Sequence, residues 1–220
     1  MRNRQTNRQK GEIEVTEISE QTAQEAARQI VGATIAWGDG RYYDLETPNP
    51  EIITIEDYAY ALAYTCRWRG QTRNRWGQRA FYGVGQHVIT MAYHLLADGH
   101  GKTNALAGLY HESDEVPFPD WLGPGKKLVP GLDELTKRHG VAIKARFGIE
   151  TPDPDLIKQY DIRMLVTEKR DLMRSPRDTF TIDGVLSTEG YEPFDQMIVP
   201  WWHPDVAGEK FMRCLAELTS

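Results

Sequence analysis

Two histidines and two carboxylates stand in this chain where an apolar helix face should carry none. His87 falls among Val84, Val88 and Met91, His111-Glu112 follows the apolar positions Leu106, Leu109 and Tyr110, and Asp161 lies one turn before Leu165. A carboxylate on a buried face is costly unless it is paired or holds a cation. Imidazole nitrogen and carboxylate oxygen together form a mixed donor set suited to a divalent cation. A cation held in this way can act as a Lewis acid and lower the pKa of a bound water. A bland reading competes: one histidine on a helical stripe is more often a core residue than a ligand, and Asp161 alone is more often a solvated helix residue than a ligand.

These four side chains meet only if three helices bring them together. Val84, His87, Val88, Met91 and Leu95 recur at helical spacing and predict a helix over 84–97, ended by Gly99. A helix over 104–115, capped by Thr103, carries His111-Glu112. Asp153-Pro154 reads as an N-cap followed by proline at the first helical position, and starts a helix that runs to about Met173 with Leu156, Tyr160, Leu165 and Leu172 on its buried side. Further helices are predicted over 20–31 behind Ser19, over 55–66 behind Thr54 with Asp57 in a near capping box, over 131–147 and over 205–218. The turn-rich, aromatic stretch 37–50 suggests a short hairpin, 67–80 a basic exposed loop, and Pro117, Pro119, Pro124 and Pro130 an irregular connection. Trp201-Trp202-His203 is expected to pack on the domain with His203 exposed. The fold class is therefore all-α, a helical bundle with a short N-terminal hairpin or loop region. Residues 1–15 read as a disordered basic tail and 16–220 as one domain.

Composition narrows the setting. A chain of 220 residues with 40% hydrophobic and 26% charged residues is long enough for one substantial core. Its net charge of −6 argues against a stable nucleic-acid partner, since phosphate-backbone binding favours a basic surface. No apolar run approaches the roughly 18 residues of a membrane span, and none follows the basic first ten residues, so no signal peptide is read there. Cys66 and Cys214 make neither a disulfide framework nor a zinc ribbon, and a cytoplasmic location is expected.

Several segments carry a resemblance. Phe81-Tyr82-Gly83-Val84-Gly85-Gln86-His87 resembles the first histidine helix of the HD-domain metal-dependent phosphohydrolases, and the segment from Ala105 to Glu115 resembles their His-Asp helix. Tyr160-Asp161-Ile162-Arg163 is similar to the segment that holds their last metal-binding aspartate. The likeness spans roughly Trp37 to the C-terminus and is strongest to the bacterial 5'-deoxynucleotidase branch and its phage relatives. Arg67-Trp68 matches that branch's Arg-Trp pair, while Glu115 and Asp120 match its acid pair, four and nine residues after His111. Two departures stand out. The doublet reads His-Glu, and Glu112 reaches about 1.5 Å further than aspartate, the length of one C–C bond. The loop between Arg67 and His87 is also longer, with extra arginines and tryptophans.

The resemblance implies His87, His111, Glu112 and Asp161 as ligands of a divalent cation (Mn, Co, Zn, Fe or Mg), with Asp114 a weaker substitute for Glu112 on another side of the helix. It implies Glu115 and Asp120 as the groups that orient the attacking water or carry its proton, Arg67 as a bidentate phosphate clamp, and Trp68 as a stacking wall. Lys126 is a second candidate phosphate contact, though a surface lysine is the simpler reading. The expected activity is hydrolysis of a (deoxy)nucleoside 5'-monophosphate to nucleoside and phosphate. A deoxynucleoside triphosphate triphosphohydrolase, phage-encoded and active on a nucleotide such as dATP in the host cytoplasm, is the nearest alternative, and Arg69, Arg73, Arg75 and Arg79 lean towards it. A non-catalytic nucleotide-binding module with a degenerate site is a reading of another class, against which the retained acid pair speaks. A di-iron oxygenase would need more histidines near the doublet than His94, His100 and His139 supply. Relatives of this kind often form dimers, so a homodimer or higher homo-oligomer is an open expectation here, although no stripe in this chain demands an interface.

Overall fold

A computed structural model describes residues 32–173, 181–182, 186–187, 190–200 and 202–220. The tail expected over 1–15 and the helix expected over 20–31 lie outside the described residues. Six helices of nine residues or more are found among the described residues, with a short hairpin ahead of them, so the fold is all-α as the patterning predicts. In the hairpin, β1 (Thr34–Ala36) pairs antiparallel with β2 (Tyr42–Asp44), Ile35 opposite Tyr43. Tyr43 is fully buried, and its hydroxyl meets Nδ1 of His139 at 2.7 Å, tying the hairpin to the bundle.

Helix α1 (Ile55–Tyr64) starts with the expected capping box: Asp57 N–H donates to the Thr54 hydroxyl, and the Asp57 carboxylate accepts from Thr54 N–H. Tyr58, Ala59, Leu62 and Ala63 form its buried face. Helix α2 (Val84–Ala97) has the predicted bounds and is covered on most sides, with Gln86, Ile89 and Ala92 buried beside the predicted stripe. It packs on α1, on α3 (Gly101–Leu109), on α5 (Pro154–Leu172) and on α6 (Pro204–Thr219), which makes it the central helix. Gly85 permits one of these contacts, because a Cβ there would lie 2.9 Å from Cα of Ala63. Helix α4 (Leu132–Arg146) flanks the turn at Ser113–Glu115. Asp153 caps α5, its carboxylate accepting from Leu156 N–H at 2.9 Å, and Pro154 takes the first helical position. Tyr58, Tyr110, Phe147 and Phe211 meet as an aromatic cluster between α1 and α6.

Two expectations need correction. The helix expected over 104–115 runs from Gly101 to Leu109 instead, so Thr103 lies inside it. The chain leaves the helix at Tyr110, where the Ser113 hydroxyl donates to the Tyr110 carbonyl and a single 3₁₀ turn follows at Ser113–Glu115. Local side-chain bonds of this kind compete with continuation of a helix. The segment 67–80 is not a plain exposed loop: Arg67, Thr72 and Asn74 are buried, and Arg73 N–H donates to the carbonyl of Leu172 at the end of α5. At the other end, Trp202 is half-buried under Lys210, and His203 caps α6 from an exposed position. No helix among the described residues is long and apolar enough to cross a membrane.

Candidate metal centre

His87, His111, Glu112 and Asp161 come together. Each offers one ligand atom, and the four atoms lie within 4.8 Å of one another. Nε2 of His87 is 3.1 Å from Nε2 of His111, and Oδ1 of Asp161 is 3.7 and 3.8 Å from these two nitrogens. Oε1 of Glu112 lies 3.4 Å from His111 Nε2 and 3.9 Å from His87 Nε2. Atoms that share a cation at about 2.0–2.2 Å stand roughly this far apart, and two nitrogens with two oxygens suit a borderline transition metal. Both Nδ1 atoms face acceptors, His87 towards Glu168 at 2.6 Å and His111 towards the Gly108 carbonyl at 2.6 Å, so both Nε2 atoms are left for the shared point. The donor set therefore fits a divalent cation.

The charges reach the same result. Burial disfavours a charged His111 ring, but Glu112 and Asp161 outweigh it and push its pKa up to about 10. Burial also opposes charge on Glu112 and Asp161, yet the same imidazolium holds both carboxyls well below their usual range. The imidazolium thus supplies the positive charge that two enclosed carboxylates require, the place a metal cation would take. Only His87 is fully enclosed; Asp161 and Glu112 keep side-chain exposures of 22% and 18% and open into a cavity. Of the four, Glu112 and Asp161 line that cavity, so the cluster borders a pocket and is not sealed in the core.

That cavity holds about 450 Å³, a size suited to a small organic ligand. Arg67, Trp68, Glu115, Asp120 and Lys126, all expected at the site, line it together with Glu112 and Asp161. Glu115 is buried with Oε2 lacking any hydrogen-bond partner, and its carboxyl is driven well up by burial and by Glu112 and Asp120 beside it. Burial raises Asp120 too, with Arg67 opposing and Glu112 adding to the shift. Buried acids with raised pKa values are candidates for proton transfer.

Other placements differ from expectation. Arg67 is not a free fork: Nε donates to Glu168 at 3.2 Å and Nη1 to Glu112 at 3.3 Å, which leaves Nη2. Lys126 is a cavity residue, its ammonium 3.3 Å from Asp114, so Asp114 is engaged there rather than as a ligand. Arg69, Arg73, Arg75 and Arg79 do not line the cavity. Arg73 donates to the Gly77 carbonyl, Arg75 covers the ring of Trp76, and Arg79 donates to Gly70 and Gln71. His94 stacks on Phe194, His100 meets the hydroxyl of Tyr160 and His139 that of Tyr43, all outside the cluster.

Sequence reasoning missed Trp121, Lys127 and Lys158 on the cavity wall, and above all Glu168 beneath it. Glu168 lies seven residues after Asp161, two turns further on the same helical face, which is the signal that could have found it. Burial raises its pKa, but Arg67 and His87 outweigh that and hold it below the ordinary glutamate range.

No family model matches the chain. It is 34% identical over 123 residues to an uncharacterized protein of Rhodobacter capsulatus, a match that covers 54% of this chain and 61% of that protein. It is 27% identical over 151 residues to the uncharacterized protein YfdR of Escherichia coli, covering 68% of this chain and 79% of the relative. The match thus spans under two thirds of the Rhodobacter protein and more of the Escherichia one, and the names of both leave activity open.

Proposed function

We propose that this chain is an HD-type metal-dependent phosphohydrolase that cleaves (deoxy)nucleoside 5'-monophosphates to nucleoside and phosphate. The observation that carries the reading is the convergence of His87, His111, Glu112 and Asp161, two of which, Glu112 and Asp161, line a cavity shared with Glu115, Asp120, Arg67 and Lys126. A bound divalent cation supplies Lewis acidity at a phosphate oxygen and a nucleophilic water near neutral pH. The chain's own groups do the remainder. Arg67 Nη2 and the Lys126 ammonium offset charge on the outer phosphate oxygens as it grows in the transition state. Glu115, with an unpartnered oxygen in a buried setting, is suited to hold or pass a proton beside the reacting phosphorus, and Asp120 is its partner. The indoles of Trp68 and Trp121 offer flat apolar walls to a sugar or base.

A monophosphate is favoured over a triphosphate because the four loop arginines that leaned towards a longer polyphosphate are engaged within their own loop or lie off the cavity. The test is metal analysis of purified protein, then a panel of deoxynucleoside mono- and triphosphates with the released anion identified. Orthophosphate from monophosphates is expected. Release of triphosphate would move the assignment to the triphosphohydrolase. Full activity in the His111→Ala, Asp161→Ala double variant would end the reading.

A further inference from the structure

Glu168 has no part in that reaction, yet its surroundings are unusual for a glutamate. It is wholly buried on α5, and four donors converge on its two oxygens. Oε1 meets Nδ1 of His87 at 2.6 Å and accepts from the Tyr82 hydroxyl at 2.9 Å. Oε2 accepts from the Trp68 indole at 2.7 Å and from Nε of Arg67 at 3.2 Å. Burying a carboxylate is costly unless every lone pair is answered, and here the answering groups include one metal-ligand candidate and two cavity residues. The backbone at that point is also constrained. Trp68 and Arg69 sit at φ values of 53° and 52°, a left-handed conformation that non-glycine residues keep only when their surroundings enforce it. The indole bond to Glu168 is such a restraint on Trp68.

We propose that Glu168 is a positioning residue that sets both halves of the site: it holds the His87 ring with its proton on Nδ1 and Nε2 open to the cation, and it holds Arg67 and Trp68 against the cavity. A neutral imidazole carries one proton, and a carboxylate facing Nδ1 keeps it there, so the lone pair is presented at Nε2. Glutamine could not replace it, because its amide offers one acceptor oxygen and turns an NH₂ group towards donors. The inference rests on the metal-site reading, which gives the open Nε2 its purpose.

The test uses the full chain with Co²⁺ as probe. Glu168→Gln is expected to raise the Co²⁺ dissociation constant by about 10–100-fold, the usual effect of losing a group that orients a ligand, and to alter the visible absorption of the cobalt-loaded protein. Leu218→Ala, a buried position on α6 away from the cluster, serves as the stability control: it should lower Tm and leave cobalt affinity and spectrum unchanged. In metal-free wild-type protein, ¹⁵N-labelled on histidine, the His87 signal (assigned by its loss in His87→Gln) should carry its proton on Nδ1. Wild-type protein that binds Co²⁺ no more tightly than Glu168→Gln overturns the role of Glu168 and leaves the metal site standing. Wild-type protein that takes up no Co²⁺ overturns the metal reading and this inference with it. A bare Nδ1 on His87 overturns the inference however the variant folds.

Discussion

Glu112 is a candidate ligand that lies outside any α-helix. It leaves from the turn after α3, at φ −93° and ψ 34°, so its carboxylate reaches back towards the histidines while accepting from Arg67. Glu112→Gln and Asp161→Asn should each weaken Mn²⁺ or Co²⁺ binding by more than the roughly 10–100-fold that supporting groups supply, read by competition with a chromophoric chelator. Unchanged affinity in both would remove the centre. The pH dependence follows from His111, whose raised pKa of about 10 means that a cation must displace a proton over the whole neutral range. Falling pH keeps that proton on and opposes the metal, so apparent affinity should rise with pH between about 6.5 and 9, by at most about tenfold per pH unit, with proton release seen by calorimetry in buffers of different ionisation enthalpy. An affinity flat across that window would contradict the imidazolium. Glu115→Gln keeps the shape of the side chain but removes its capacity to take or give a proton, so metal binding should persist while kcat for phosphate release falls by about 10²–10⁴-fold.

Helix α5 supplies both Asp161 and Glu168, two turns apart, and so its position sets the metal floor and the support beneath it together. Its start depends on Asp153, whose carboxylate accepts from Leu156 N–H. Asp153→Ala should cost about 1 kcal/mol, lowering Tm by about 2–4 °C for a chain of this size. Cobalt affinity should stay constant, because the ligands sit two turns or more from the cap. A simultaneous loss of metal binding would show that fraying of the first turns propagates to Asp161. Gly85 makes the corresponding point for α2: a Cβ there would stand 2.9 Å from Cα of Ala63, so a side chain would force apart α1 and the helix that carries His87.

In the whole molecule, the cluster and its cavity gather acidic groups. Glu112, Glu115, Asp120 and Asp161 crowd one cavity, relieved by His111, Arg67, Lys126 and Lys158. A cation there should act as a structural clasp across α2, the turn after α3, and α5. At a concentration of 100 times its dissociation constant, a bound metal adds about 2.7 kcal/mol to folding stability. That corresponds to a rise in Tm of roughly 5–10 °C. Differential scanning calorimetry with and without Mn²⁺, and after chelation, checks this, and an unchanged Tm would argue against a bridging cation.

The amino-acid order by itself determined the helices that carry clear punctuation. Gly99 closes α2, Asp153-Pro154 opens α5 and the Thr54–Asp57 box opens α1, because caps and apolar spacing act within a few residues and are legible locally. It also marked the four ligand candidates, as polar groups out of place on apolar faces. Only the tertiary structure decided that α3 stops at Leu109, that Arg67 is shared by Glu168 and Glu112, and that Lys126 faces the cavity. It alone assigned Glu168, since a lone glutamate on a long helix looks solvated until the partners that surround it arrive from segments some 80–100 residues away. The seven-residue spacing from Asp161 puts Glu168 on the same helical face, but its burial and pairing depend on contacts distant in the chain, which spacing alone does not encode.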